Sequence, residues 1–295
     1  MIPLALSIVM LLGVGAVAQE EEPVDALQEV IFNMFEADVS GASVEQLTVN
    51  FQERTNPGDF TDYSRQPFFT HVAFDELASR PTFAAYLNLL PFFTADAAVE
   101  EEMSDEKRRA IFDFVDGAMN TSVFNVASAE LVRRGLLSAD RLEARQTLFQ
   151  IWFNTVDRNG VLSSSGFEHV MLSDLFRRGV GGLHYWIYAY LAERNGTFEY
   201  YGYIARNRNQ LATIQFEFEG RPKPIGGFLL GTSPELDFSL FTLCYLVHPN
   251  NNRCRFKLLD EFYAVQTQAY PCTVDGGSCV GTTYPVVCQS FDSCY

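Results

Sequence analysis

Two histidines in the second half of the chain are the strongest candidates for chemistry. His169 follows Glu168 in the segment Ser164–Val170, and His184 follows two glycines and a leucine in the segment Gly181–Ile187. An imidazole has an ordinary pKa of about 6.5, so one ring can accept a proton near neutral pH while the other donates one. The pair therefore fits general acid–base catalysis across a single reacting phosphate.

Such a reaction needs a third group that stabilises charge in the transition state, and a lysine or a metal ion suits that task. The chain has three lysines, and Lys223 lies in Gly220–Pro224, which we predict to be a turn between two strand-like segments. From there its amine is expected to reach a cleft. The remaining histidines, His71 and His248, are interpreted as structural or surface residues, and spacing alone leaves that ordinary role open for the other two as well.

The elements that must position these groups change in character near residue 159. Residues 19–159 are predicted to form a mostly helical subdomain, because apolar residues recur at helical spacing in four segments, at 24–36, 83–90, 107–119 and 148–153. Residues 160–270 are predicted to form a sheet-rich catalytic subdomain, with alternating strands at 197–205 and 212–219 and a helix from Pro234 to about Leu246. The expected fold class is therefore α+β.

The two ends of the chain indicate where the protein acts. Residues 1–18 have an apolar run that reaches an Ala-x-Ala sequence, as in a signal peptide, so we expect a secreted protein with no stable membrane insertion after cleavage. An N-terminal membrane anchor is the alternative. All six cysteines lie in the last fifth of the chain and predict disulfides, with a Cys-rich tail at 271–295 and with Cys244 and Cys254 able to close one short loop. Sequons at Asn120 and Asn195 predict glycosylation.

The formal charge of −16 argues against nonspecific binding to nucleic acid, because phosphate neutralisation requires Lys and Arg. The charge is uneven, however. Residues 1–159 hold 25 acidic and 11 basic residues, whereas residues 160–270 hold 10 of each. An acidic chain can still process RNA if a local basic patch or a bound cation offsets the phosphates.

Several ordered motifs resemble the EndoU family of poly(U)-specific endoribonucleases over roughly residues 24–270. They are the segment Ser164–Val170, the segment Gly182–Ile187, Tyr201–Ile204, and Gly231–Leu236 followed by Leu243–Tyr245. The resemblance implies a helical first half and a sheet-rich catalytic half. It also implies cleavage of single-stranded RNA at uridylates to give 2′,3′-cyclic phosphate ends, with manganese, or alternatively calcium, as the assisting cation.

By motif, His169 and His184 match the family's catalytic histidines, and Lys223 matches its catalytic lysine. Analogy with the related coronaviral endoribonuclease implies that His184 is the general base and His169 the general acid, an order that sequence alone leaves open. Glu168 and Asp174 are the candidate metal ligands. Asp174 stands where the family usually has the longer glutamate.

The residues expected to bind substrate are Thr232 and Ser233 before the Pro234 helix, and Thr267 and Tyr270 in the last predicted strand. Ser233 has a second interpretation, as the helix cap. Gln268 occupies the position where the family carries an aromatic residue that stacks on the base. Such stacking contributes ~1–3 kcal/mol, so its loss is expected to relax the preference for uridine, unless Tyr270 replaces it.

The sequence therefore predicts a secreted, metal-assisted endoribonuclease whose partner is single-stranded RNA and not DNA. The alternative is a catalytically weak RNA-binding or extracellular interaction protein on the same fold, which the acidity, Asp174 and Gln268 favour. A protease or a phosphatase has little support, because the chain has neither a Gly-x-Ser-x-Gly nor a His-Glu-x-x-His sequence.

Overall fold

The fold is described from a computed structural model that covers residues 27–158, 160–208, 210–250, 253–272, 277–290 and 293. The predicted signal peptide at 1–18 lies outside these residues. Within them, no helix is long and apolar enough to span a bilayer. The chain is a mixed α and β structure with helices early and strands late, which confirms the predicted fold class.

Among the residues described, the first half contains six α-helices and one antiparallel pair of short strands. Three of the helices begin at residues whose side chains accept a hydrogen bond from a free backbone N–H of the first turn, namely Ser104, Thr121 and Asp140. The predicted segments 107–119 and 148–153 lie within helices, and the segments 24–36 and 83–90 overlap a helix over most of their length. The elements are α1 (Gln28–Glu36), β1 (Leu47–Val49), β2 (Phe69–Val72), α2 (Phe74–Ala78), α3 (Pro81–Leu89), α4 (Asp105–Met119), α5 (Ser122–Arg133) and α6 (Arg141–Phe153).

The second half contains ten strands and three helices among the residues described. Its elements are β3 (Thr155–Arg158), β4 (Val161–Ser165), α7 (Gly166–Met171), β5 (Ser173–Phe176), β6 (Gly179–Gly182), α8 (Trp186–Arg194), β7 (Phe198–Asn207), β8 (Leu211–Phe218), β9 (Arg221–Leu229), α9 (Pro234–Val247), β10 (Arg253–Leu258), β11 (Glu261–Pro271) and β12 (Ser278–Cys288). Two antiparallel three-stranded sheets dominate, in the orders β7-β8-β9 and β10-β11-β12. β12 packs against β8 and β9, so the two sheets meet along this strand.

A single hydrophobic core joins the two halves. Helix α9 is buried along most of its length and packs on α1, α3, α4 and α5 from one half and on β11 and β12 from the other. Buried polar groups cross the same boundary: the Trp152 indole N–H donates to Thr242 Oγ1 over 2.8 Å, and the Tyr86 hydroxyl donates to the Met171 carbonyl over 2.7 Å. Burial of large aromatic side chains against both halves therefore holds the site elements on the helical scaffold.

Two predicted boundaries differ from the structure. The boundary at 159/160 falls inside the β3–β4 hairpin, whose strands pair from Thr155 with Ser165 to Arg158 with Val161. The predicted tail at 271–295 contains β12, which pairs with β11 from Phe262 opposite Cys288 to Pro271 opposite Ser278. This strand is an integral part of the β10-β11-β12 sheet and not an appendage, because its pairing partner is the preceding long strand.

Two disulfides lie among the residues described. Cys244 on α9 is bonded to Cys254 on β10, as the short spacing suggested, and Cys272 is bonded to Cys279. Each bond closes a short loop beside β11 or β12. By restricting the unfolded chain, these links stabilise the end of the sheet that carries β12.

Candidate active site

The two catalytic candidates are held together by backbone contacts. His169 lies in the short helix α7, and His184 follows β6 in the connection to α8. The Leu183 N–H donates to the His169 carbonyl over 3.0 Å, and the His184 N–H donates to the Val170 carbonyl over 2.8 Å. Gly182 has a φ of +62°, and a Cβ added there would lie 1.6 Å from the His169 carbonyl oxygen. Glycine is required at this position because the two segments cross so closely.

His169 is oriented by a buried carboxylate. Its Nδ1 donates to Asp174 Oδ2 over 2.6 Å, and the Ser164 hydroxyl donates to Asp174 Oδ1 over the same distance. The Arg158 guanidinium Nε lies 3.4 Å from Asp174 Oδ2. Burial favours the neutral acid, but His169 and Arg158 outweigh it and lower the pKa of Asp174, which stays ionised. An ionised carboxylate accepts hydrogen bonds only, so His169 carries a proton on Nδ1 and directs Nε2 outward.

His184 is oriented by a neutral acceptor. Its Nδ1 lies 3.0 Å from the Gly227 carbonyl oxygen, which can only accept, so this nitrogen is the donor. The ring stacks on Tyr284 of β12, with 4.9 Å between the ring centroids and an interplanar angle of 22°. In the neutral imidazole this tautomer leaves the lone pair on Nε2. His184 therefore has the form that a general base needs.

The protonation of the two rings differs for physical reasons. Burial lowers the pKa of His184 well below its usual range, and the positive charges of Lys223 and His169 lower it further. Burial also lowers the pKa of His169, but the Asp174 carboxylate offsets part of that effect. His169 is thus the ring that more readily holds a second proton. The ring centroids are 6.1 Å apart, which places an acid and a base on opposite sides of one small group.

Lys223 is the cationic member of the site. It lies in strand β9 and not in the predicted turn, and its Nζ donates to the Val180 carbonyl of β6 over 3.1 Å. Burial lowers the pKa of Lys223 to about 8, with the Asp174 carboxylate opposing that shift. The ammonium is therefore charged at neutral pH and loses its proton as the pH rises through about 8. A charged donor at this position can stabilise negative charge on a phosphate oxygen.

All three groups line one cleft of about 390 Å³ between β6, β9, β11 and β12. The wall also includes the polar side chains Gln266 and Thr213 and the aromatic ring of Tyr284. The structure therefore brings the sequence-predicted triad together. The arrangement offers a base, an acid and a cation facing a common space, which is what an in-line phosphoryl transfer requires.

The carboxylates of the two predicted metal ligands, Glu168 and Asp174, are both buried and differ in their neighbours. Both oxygens of Asp174 accept hydrogen bonds from Ser164 and His169, and the Arg158 guanidinium beside it repels a cation. Glu168 is 1% exposed, and burial together with the nearby Glu101 raises the pKa of its carboxyl well above the usual range. Across the described ranges, no group of three or more His, Cys, Asp or Glu residues is arranged to hold a metal ion. Asp174 acts instead on the His169 imidazole.

The four predicted substrate residues lie away from the cleft. Ser233 is the cap of α9, its Oγ accepting from the Leu236 N–H over 3.1 Å, and Thr232 lines a separate cavity, its carbonyl accepting from the Trp186 indole over 2.8 Å. Thr267 is fully buried, and its hydroxyl donates to the His248 carbonyl. The Arg158 guanidinium covers the Tyr270 ring at 5.0 Å. None of the four is among the residues that line the catalytic cleft.

Sequence reasoning missed Tyr284 and Gln266. Tyr284 belongs to the Thr282–Val287 segment, whose β-branched and aromatic residues were a strand signal within a region interpreted as a Cys-rich tail. Gln266 neighbours Thr267, and because successive residues of a strand face opposite sides, a residue at 266 reaches the cleft while its neighbour is buried. Tyr284 lies opposite Gln266 in the β11–β12 ladder, which brings the two side chains to the same wall.

Comparisons with known proteins find similarity to endoribonucleases. Residues 26–285 match the family model described as endoribonuclease XendoU. The chain is 29% identical over 270 residues to uridylate-specific endoribonuclease C of Xenopus laevis, which covers 88% of each chain. It is 34% identical over 240 residues to uridylate-specific endoribonuclease B of Danio rerio, covering 77% of this chain and 82% of that one. The solved structure of XendoU, a splicing-independent snoRNA-processing endoribonuclease, matches with a TM-score of 0.76 and 28% identity over 88% of this chain and 96% of that chain.

Proposed function

This chain belongs to the XendoU endoribonuclease family, and on that premise we propose that it cleaves single-stranded RNA at uridylates by attack of the 2′-hydroxyl on the adjacent phosphate. The products are a 2′,3′-cyclic phosphate and a free 5′-hydroxyl. One observation carries the proposal: two imidazoles with different proton affinities direct their Nε2 atoms toward one cleft. Asp174 accepts from Nδ1 of His169, and the Gly227 carbonyl accepts from Nδ1 of His184.

His184 takes the 2′-hydroxyl proton, because its Nδ1 is committed to the Gly227 carbonyl and its neutral ring has a free lone pair on Nε2. His169 delivers a proton to the leaving 5′-oxygen, because Asp174 stabilises its imidazolium form. The proton count then balances: one proton enters His184 and one leaves His169. Lys223 stabilises the negative charge that builds on the non-bridging phosphate oxygens, and because its side chain is buried that interaction is stronger than in bulk water.

The preference for uridylates is supported by the relatives, which are named uridylate-specific endoribonucleases. The cleft supplies chemistry that suits a pyrimidine. Gln266 offers an amide with both a donor and an acceptor, Thr213 offers a hydroxyl, and Tyr284 offers an aromatic edge beside the general base. These side chains take the place of Thr267 and Tyr270 in the recognition of the base.

Assistance by manganese or calcium stays a prediction, and the described side chains give it no protein ligand set. A divalent cation, when bound, would neutralise phosphate charge. Secretion also stays a prediction and rests on residues 1–18. Asn120 and Asn195 are both exposed, which is consistent with glycosylation of a secreted form.

The test is product analysis on an RNA of mixed sequence, incubated with Mn²⁺, with Ca²⁺ or with a chelator. We expect fragments that end in uridine 2′,3′-cyclic phosphate, detected as a mass 18 Da below that of the linear phosphate, roughly as loss of one water requires. Linear 3′-phosphates as primary products would contradict 2′-hydroxyl attack. No cleavage under any condition would favour the interaction protein on the same fold.

A further inference from the structure

A second cavity, of about 600 Å³, shares strand β9 with the catalytic cleft and is otherwise lined by the β3–β4 hairpin, the β5–β6 hairpin and residues 96–98. Four of its ten lining residues are arginines, Arg158, Arg177, Arg178 and Arg221, and one, Asp96, is acidic. The chain as a whole has a formal charge of −16. The four guanidinium groups therefore make this cavity positively charged, although the chain as a whole is negatively charged.

Three of these arginines are available to a ligand. Arg158 is buried beside Asp174, but Arg177 and Arg178 are exposed at the tip of the β5–β6 hairpin, and Arg221 is half-buried at the start of β9. Among the described residues, neither Arg177, Arg178 nor Arg221 forms an ion pair. The Asp96 carboxylate accepts a hydrogen bond from the Ala98 N–H. Guanidinium groups without protein partners bind phosphate oxygens well, since they donate in a planar fork.

The cavity is structurally continuous with the catalytic groups. Arg221 and Lys223 are two residues apart in β9, so their side chains share a face of the strand about 6.7 Å apart. The hairpin that carries Arg177 and Arg178 also carries Asp174 on one strand and Val180, the acceptor for Lys223, on the other. An RNA strand whose scissile phosphate meets Lys223 would therefore run directly toward Arg221.

The floor of the cavity is apolar. Val161 and Leu175 line it together with Phe176, and the Ala97 N–H donates to the Leu175 carbonyl, which fastens the loop after α3 to this wall. An apolar floor with a cationic rim matches a nucleotide, whose base has two apolar faces and whose phosphate is anionic. A free inorganic anion would leave the floor unused.

We propose that this cavity binds the nucleotide adjacent to the scissile uridylate, with its base on the Leu175 and Phe176 floor and its phosphate held by Arg177, Arg178 and Arg221. The proposal rests on the proposed function, because it assigns a second subsite to the same RNA. It explains how a strongly acidic chain holds a polyanion. The arginines neutralise phosphates outside the catalytic cleft, while Lys223 serves the scissile one.

The experiment compares the double variant Arg177→Gln/Arg178→Gln with Arg65→Gln, which removes an exposed arginine that lines neither cavity. Two substrates are used: a hexaribonucleotide with one uridine among adenosines, and the dinucleotide UpA, which holds only the scissile phosphate. Binding is measured separately by fluorescence anisotropy with a hexanucleotide whose uridine carries a 2′-O-methyl group and cannot be cleaved.

We expect the double variant to lose roughly ten-fold in hexanucleotide affinity and in kcat/KM, mainly through KM, with little change on UpA. The slope of log affinity against log salt should fall by about 0.7 for each phosphate contact removed. Affinity equal to that of the Arg65 variant would overturn the subsite, and so would an equal loss on UpA. If the wild-type chain cleaves neither substrate, the proposed function fails, while anisotropy still decides whether the arginines hold RNA.

Discussion

The two sides of the catalytic cleft hold the same side chain by different means. On one side, His169 stands on α7 and donates to a buried carboxylate, Asp174, which Arg158 and Ser164 keep in place. On the other side, His184 stands on a glycine-rich connection and donates to a backbone carbonyl, that of Gly227. The first partner is charged and the second is neutral.

This difference divides the labour between acid and base. A carboxylate stabilises the imidazolium form, whereas a carbonyl fixes the tautomer with much less effect on the proton affinity. The nearby ammonium of Lys223 adds to the contrast, because it lowers the pKa of both rings and only His169 has a carboxylate to offset it. In the proposed reaction, two identical imidazoles thus receive opposite roles from the partner on Nδ1.

The largest effect is expected from His184→Gln, which removes the base but keeps a polar side chain in the cleft. General base catalysis contributes about 10²–10⁴-fold, so kcat should fall by that factor on a uridine-containing oligonucleotide. His71→Gln is the control, since His71 is exposed in β2. If the His184 variant cleaves at a rate within about three-fold of wild type, the loss is no larger than that of one ordinary hydrogen bond. The assignment of His184 as the base would then be wrong.

The next effect is expected from Asp174→Asn, which keeps the shape of the side chain and removes its charge. A carboxylate that orients a metal-bound imidazole typically contributes about 10–100-fold to activity, and we expect a loss of at least that size here. The pH profile distinguishes this positioning role from simple destabilisation. Because Asp174 raises the pKa of His169, its loss lowers that pKa, and the alkaline limb of the rate profile moves to lower pH.

The control for that variant is Asp113→Asn, on the exposed face of α4. Rates of both variants are measured from about pH 5 to pH 9, the range in which a perturbed histidine titrates. An unshifted alkaline limb with a lower rate at every pH would mean that Asp174 serves the fold alone. A shift of the acidic limb instead would exchange the roles of the two histidines.

The three site residues show how much of the site could be predicted from the sequence. His169 and His184 could be identified because each lies in a short sequence motif. The second motif contains Gly181 and Gly182, and these glycines allow the two segments to approach closely. Lys223 was identified but placed in a turn, because Pro222 and Pro224 usually interrupt strands. Strand β9 tolerates them since it is an edge strand of its sheet and its pairing with β8 shifts register between Lys223 and Gly226.

The substrate residues were harder to predict because they depend on long-range pairing. A register shift between Gln268 and Ala269 breaks the simple alternation along β11, so Tyr270 cannot be placed by counting from Gln268. Strand β12 was not predicted because the last segment is rich in Cys, Gly and Thr, which is more typical of a loop. Its strand conformation depends on pairing with β11. Asp174 was recognised by motif as a metal ligand, but only the structure shows that its oxygens are already taken.

A smaller effect is expected from Tyr284→Leu, which tests whether the base side of the cleft also depends on β12. The ring stacks on His184, and an aromatic pair contributes about 0.5–1.5 kcal/mol beyond burial, so kcat/KM should fall about 2–10-fold. Tyr284→Phe keeps the ring and should retain most of the activity. Equal losses in the two variants would assign the effect to the hydroxyl and not to stacking.

The smallest effect on activity is expected from Thr267→Val. Thr267 lies on the buried face of β11, so this variant tests whether only the opposite face of the strand contacts RNA. Its hydroxyl donates to the His248 carbonyl and not into the cleft. Losing that hydrogen bond should lower the free energy of unfolding by about 1 kcal/mol, measured by urea denaturation, with kcat/KM and the preference for uridine unchanged. Gln266→Ala, one residue away on the face toward the cleft, should instead raise KM for the oligonucleotide. A relaxed base preference in the Thr267 variant with none in the Gln266 variant would mean that β11 presents its other face to the RNA.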